Sequence, residues 1–128
     1  MRIGRLRSNL GRKPTQRRPL VRNLVTSLVL YEKVKTTKAR AKAIQPLLDR
    51  LITKAKNRPP HIAIRFVNQV LTDKNASKKM LEVFKDRFKN RKSGFTSIKP
   101  IGLRKGDGAE MVEISLVNDE KSKDTAAK

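Results

Sequence analysis

A single histidine, eleven carboxylates and no cysteine are all this 128-residue chain has for acid–base, nucleophilic or metal chemistry. A histidine base needs a nucleophile or carboxylate positioned beside it, and a zinc site needs several ligands of its kind. His61 falls with Arg65, Asn68 and Thr72 on the polar side of a helical pattern, so solvent or a partner should meet it. Asp107, Glu110, Glu113 and Asp119 form the one acidic stretch, with no Lys or Arg from Gly106 to Glu120. Paired acids of a hydrolase must face each other across a substrate. Here Asp107 belongs to a turn and Glu113 alternates with Val112 and Ile114, the pattern of a solvated strand face. Arg104-Lys105-Gly106-Asp107-Gly108-Ala109 fits neither glycine-rich phosphate loop. No catalytic residue, metal ligand or cofactor is assigned, and the chain does not read as an enzyme.

The chemistry that remains is cationic. Lys and Arg number 32 against 11 Asp and Glu, a net charge of +21. Such an excess repels itself in a compact state and makes sense beside a polyanion, nucleic acid before a membrane surface or an acidic protein. The first acid is Glu32. Before it stand Arg2, Arg5, Arg7, Arg12, Lys13, Arg17, Arg18 and Arg22. Guanidinium binds phosphate bidentately and stacks on bases, so this arginine-rich start points to structured nucleic acid. A second cluster, Lys89-Asn90-Arg91-Lys92-Ser93-Gly94, sits in a loop able to follow a backbone. A third, Lys35-Thr36-Thr37-Lys38, places hydroxyls and cations at a helix start. Lys54, Lys78, Lys79 and Lys85 read equally well as ordinary solvated helix faces. No recognition helix stands out, and one Tyr and four Phe make no stacking platform, so folded RNA read by shape is favoured over DNA.

The elements that must carry these cations follow from periodicity. Residues 1–18 have Gly4, Gly11, Pro14 and no apolar face, and are expected to be a flexible basic arm ordered by its partner. Residues 19–117 form one globular domain; residues 118–128 form a disordered polar tail. Leu20, Leu24, Leu28 and Tyr31, with Val21 and Val25 widening the stripe, predict a helix that Pro19 opens, with Arg18, Arg22, Asn23 and Thr26 on its outer side. Lys33 to Thr37 reads as a strand. Lys38 to Lys56 is a helix capped by Thr37, with Ala41, Ile44, Leu47, Leu48, Leu51, Ile52 and Ala55 inward and Asp49 outward, and with Pro46 expected to kink it or delay its start. A third helix follows Pro59-Pro60, and a fourth is capped by Asn75 or Ser77. Phe95 to Leu103 and Met111 to Val117 are strands of a β-hairpin. The fold class is α+β: a two-layer domain in the order helix, strand, three helices and β-hairpin, its helices packed on a small mixed sheet.

Hydrophobic residues are 37% of the chain, enough for a modest aliphatic core. Leu20 to Tyr31 is too short and too polar for a membrane span or a signal peptide, so neither a membrane nor a small-molecule substrate is an expected partner. The absence of cysteine suits a reducing cytoplasm.

Several separated motifs carry a resemblance. Arg22-Asn23-Leu24, Glu32-Lys33-Val34-Lys35-Thr36-Thr37, Arg40-Ala41-Lys42, Leu51-Ile52-Thr53-Lys54-Ala55-Lys56, Gly94-Phe95-Thr96 and Arg104-Lys105-Gly106-Asp107-Gly108-Ala109-Glu110-Met111 stand in the right order. Together they resemble the family of bacterial large-subunit ribosomal protein seventeen. Met1-Arg2 and Leu10-Gly11-Arg12 are similar to that family's arm. Ile3 and Gln16 replace its usual histidines, and Pro46 replaces a helix-favouring residue. The resemblance implies a structural component of the large ribosomal subunit, without catalysis. Its partners would be large-subunit rRNA near the outer end of the peptide exit tunnel and neighbouring large-subunit ribosomal proteins, in the cytoplasm. By that analogy the arm and the Thr36-Thr37 region would face rRNA; Arg22, Asn23, Lys42, Arg104 and Lys105 complete the rRNA-binding candidates. A DNA-compacting nucleoid protein is the alternative that shares the charge.

Overall fold

The computed structural model describes residues 10–118. Helix α1 spans Pro14–Tyr31, strand β1 Lys33–Thr37, α2 Lys38–Asn57 and α3 Pro60–Val70. The fourth helical stretch, α4, has three consecutive pieces: Lys74–Lys79, a π-helical segment Met80–Phe84 and a last turn Lys85–Arg87. Strands β2, Thr96–Leu103, and β3, Glu110–Leu116, close the domain. The architecture is α+β, with helices on one face of a three-stranded sheet in the order β1-β3-β2.

Helix α1 starts five residues before the expected Pro19. Pro14 occupies its first turn, where the missing donor costs nothing, and Pro19 lies in its interior. Residues 14–18, including Arg17 and Arg18, therefore stand on a helix and not in an arm. Helix α2 begins at Lys38 and runs without a break past Pro46, so no late start occurs. Pro46 deprives the Lys42 carbonyl of a donor, but both residues are exposed and water can serve instead. Asp73, not Asn75 or Ser77, caps α4, its Oδ1 accepting from the Asn75 N–H at 2.7 Å. Ser77 is buried and donates to the Asp73 carbonyl.

The sheet is antiparallel throughout, where a mixed one was expected. The short turn makes β2 and β3 antiparallel. β1 joins the other edge with its end, Thr37, opposite Met111 near the beginning of β3. Val34 and Thr36 share the covered face with Val112 and Ile114, while Lys33, Lys35 and Thr37 share the outer one.

The core is aliphatic along α1 and α2 and aromatic at the hairpin base. Phe84, Phe88 and Phe95 are fully buried, with neighbouring ring centroids 5.8 and 5.2 Å apart, edge to face. Along α1, Val25 and Leu28 are buried as expected and Val29 joins them, but Tyr31, expected inward, is 74% exposed. Thr26 goes inside because its hydroxyl is satisfied there, donating to the Arg22 carbonyl at 2.8 Å and accepting from the Thr72 N–H at 3.2 Å. Asp49 is half-buried and accepts from the Phe95 N–H, and burial raises its pKa.

Glu32 ties the layers together. It ends α1 in the left-handed region, at φ 63°, and its N–H closes the helix on the Leu28 carbonyl. Arg87 grips its carboxylate with both Nη atoms at 3.0 Å, and the Lys79 ammonium lies 2.9 Å away. Hydrogen bonding from Arg87, with help from Lys79, holds the carboxyl at about 2 despite desolvation.

Candidate nucleic-acid interface

Both long helices begin without an acid in the first turn, although a helix N-terminus favours negative charge. Lys13, Arg17 and Arg18 crowd the start of α1, and Lys38 opens α2. Cations at the positive end of a helix dipole are unfavourable alone and become favourable when an anion bridges them.

Between α1, α2 and the end of α3 lies a groove of about 610 Å³. Arg17, Arg18 and Arg22 line it from α1, and Lys42 and Arg50 from α2. Val21, Ala43, Leu47 and Val70 supply its apolar part, and no carboxylate lines it. Arg22 is the fixed member: its Nε donates to the Val70 carbonyl at 3.1 Å across 48 residues. That carbonyl ends α3, where helical acceptors lack partners and a cation suits the dipole. Spacing explains the rest. Arg18 and Arg22 are one turn apart on α1, while Lys42, Pro46 and Arg50 follow at successive turns of α2.

The groove unites four residues singled out from sequence, Arg17, Arg18, Arg22 and Lys42, and adds Arg50, which was missed. The i+4, i+8 relation of Arg50 to Lys42 was a signal available in the chain. Other candidates are scattered. Arg12, Lys13 and Asn23 are exposed on or before α1, while Arg2, Arg5 and Arg7 lie outside the described residues. In the Lys35–Lys38 cluster, Lys35 is exposed on the outer sheet face, but Thr36 is only 6% exposed, on the covered face. Thr37 caps α2 without a side-chain hydrogen bond, and the Lys38 ammonium sits 3.5 Å from Glu110.

The 89–94 loop is tied down rather than loose. Lys56 Nζ donates to the Arg91 carbonyl, and Arg91 Nη1 donates to the Gly94 carbonyl at 3.1 Å. Lys92 is exposed beside them. At the hairpin turn, Arg104 is engaged with Asp107, its Nε 3.1 Å from Oδ1. That hydrogen bonding keeps the Asp107 carboxyl at about 2, and Lys105 next to it is exposed.

His61 is exposed on the first turn of α3. Among the described residues, no three acids or histidines gather as metal ligands would, and no helix is long and apolar enough to cross a membrane.

The profile of the family described as ribosomal protein L17 matches residues 20–117. The large ribosomal subunit protein bL17 of Desulforudis audaxviator is 40% identical over 108 residues, 84% of this chain and 96% of that protein. Its namesake in Chloroflexus aggregans is 41% identical over 84% of this chain and 92% of its own length. That of Syntrophotalea carbinolica is 39% identical over 94% of this chain and 77% of its own length.

Proposed function

Because the chain belongs to the ribosomal protein L17 family, we propose that this structural protein of the large ribosomal subunit works by gripping large-subunit rRNA in the groove between α1 and α2. The observation that carries the reading is five cations converging on one groove with no carboxylate in its lining. Phosphates entering it release counterions and relieve the mutual repulsion of the cations that line it. Arg22, already oriented by Val70, presents its guanidinium at little further entropic cost. Residues 1–13 add Arg2, Arg5, Arg7, Arg12 and Lys13 as candidate phosphate contacts, and Lys92 provides an outlying one. Placement near the outer end of the exit tunnel, in a cytoplasmic ribosome, rests on the family resemblance.

The test is the salt dependence of binding to large-subunit rRNA. Replacing Arg17, Arg18, Lys42 and Arg50 by Gln removes four candidate phosphate contacts, each worth roughly 0.7–0.9 in the slope of log affinity against log salt. The slope should become shallower by about 3, with the melting temperature held or raised by the lost repulsion. An unchanged slope would take the groove out of the binding account. Equal affinity for plain duplex DNA, with no retention on large subunits after a salt wash, would overturn the ribosomal reading.

A further inference from the structure

The β2–β3 hairpin carries an apolar tip that the helices leave open. Ile101 and Leu103 are 51% and 72% exposed. Between them Gly102 takes φ 146°, at the bulge where the pairing register shifts between Pro100 and Gly102. A side chain there would be strained, so glycine permits a bend that aims its two neighbours. A cavity of about 490 Å³ opens alongside, walled by Pro100, Met111 and Val112 on the sheet and by Lys38 and Lys42 on α2.

The charges of this corner set it apart from the groove. Glu110 lies beside Lys38, and Asp107 engages Arg104, so they cancel within the chain. From Lys99 to Asn118 the three bases Lys99, Arg104 and Lys105 are matched by the three acids Asp107, Glu110 and Glu113, in a protein of net charge +21. A polyanion gains little from so neutral a surface. An apolar patch on another protein gains by covering Ile101 and Leu103. Addition of a strand to the β2 edge is disfavoured, since Pro100 has no N–H and the bulge interrupts the row of edge groups.

We propose that the hairpin tip docks a neighbouring protein through an apolar side chain set against Ile101 and Leu103. This rests on the reading that the chain is built into the large subunit. Two exposed apolar residues make a small contact, and it becomes effective because RNA already holds the chain in place at high local concentration.

The experiment uses assembled large subunits carrying the full chain with photoreactive benzoylphenylalanine at position 103 or, separately, at position 92. Irradiation should join position 103 to a ribosomal protein and position 92 to rRNA. An rRNA adduct at position 103 would assign the tip to RNA, and no adduct there, with position 92 reactive, would mean an open surface; either overturns the proposal. A chain missing from the particle would instead refute the proposed function, and this inference with it. A second variant reads the sign of the interaction. Ile101→Lys with Leu103→Lys, both exposed and compatible with folding, should weaken retention under a salt wash about tenfold or more, the equivalent of losing one buried aliphatic side chain. Tighter retention would mean that phosphate lies at the tip.

Discussion

Glu32 offers the sharpest test of the forces that hold this domain together. Its carboxyl sits at about 2 against an ordinary 4.5. Were the group fully shielded, that gap would correspond to about 3.4 kcal/mol of preference for the charged form in the folded state. The side chain is 34% exposed, so solvent screening reduces the figure to roughly 1–2 kcal/mol. A depressed folded pKa means that the unfolded chain binds the proton first. The stabilisation is complete above pH about 4.5 and disappears as the pH falls toward 2. Glu32→Gln copies the protonated acid in shape and leaves Lys79 and Arg87 without their anion. In urea melts at pH 7 the variant should be less stable by roughly 1–2 kcal/mol, and at pH 3 the two proteins should have drawn much closer. Asp107, held equally low, titrates in both and cancels. A gap that stays constant from pH 7 to pH 3, or no gap at pH 7, would show that the Arg87 and Lys79 contacts contribute nothing net.

Pro46 and Arg22 give two further checks. Pro46→Ala restores the donor to the Lys42 carbonyl at an exposed interior position of α2 and should raise stability by about 1–3 kcal/mol, read as a higher melting temperature. No increase would mean that α2 has adapted fully to its proline. Arg22→Lys keeps the charge but loses the Nε bond to Val70; it should cost about 1 kcal/mol in urea melts while the salt slope of RNA binding stays nearly unchanged.

What was legible in the chain was local, and what was hidden was contact between distant segments. β1 and the start of α2 are found where the sequence puts them, because Val34 and Thr36 alternate with lysines and because Ala41, Ile44, Leu48, Ile52 and Ala55 recur on one arc. Thr26 and Asp49 went to the wrong side since polarity alone predicts exposure. Thr26 is admitted inside by Thr72, a partner far along the chain, while Asp49 stays half-buried with its Oδ1 unpartnered and its pKa raised by burial. Tyr31 erred the other way, for the left-handed Glu32 ends α1 and leaves the ring beyond the core. The groove was half visible: Arg18 and Arg22 belong together by spacing, but nothing in either segment says that α2 brings Lys42 and Arg50 to meet them.

The distribution of charge leads to a prediction for the whole molecule. Its few acids serve the fold: Glu32 binds Arg87 and Lys79, Asp73 caps α4, and Asp107 and Glu110 neutralise Arg104 and Lys38. None lines the groove, so the cations that line it repel one another less once an anion enters. A polyanion that binds only the folded state should therefore stabilise it. At a free concentration one hundred times Kd the gain is about 2.7 kcal/mol, which for a domain of this size raises the melting temperature by roughly 10–20 °C. Heparin, a chemically simple polyanion, should produce most of this increase in the wild type and little of it in the variant with Arg17, Arg18, Lys42 and Arg50 replaced by Gln. Sodium chloride should work in the same direction on the wild type at low ionic strength, by screening the groove, and should oppose the heparin effect. If heparin raised both proteins equally, the stabilising contacts would lie elsewhere on the surface, and the proposal that RNA is held in the groove would fail.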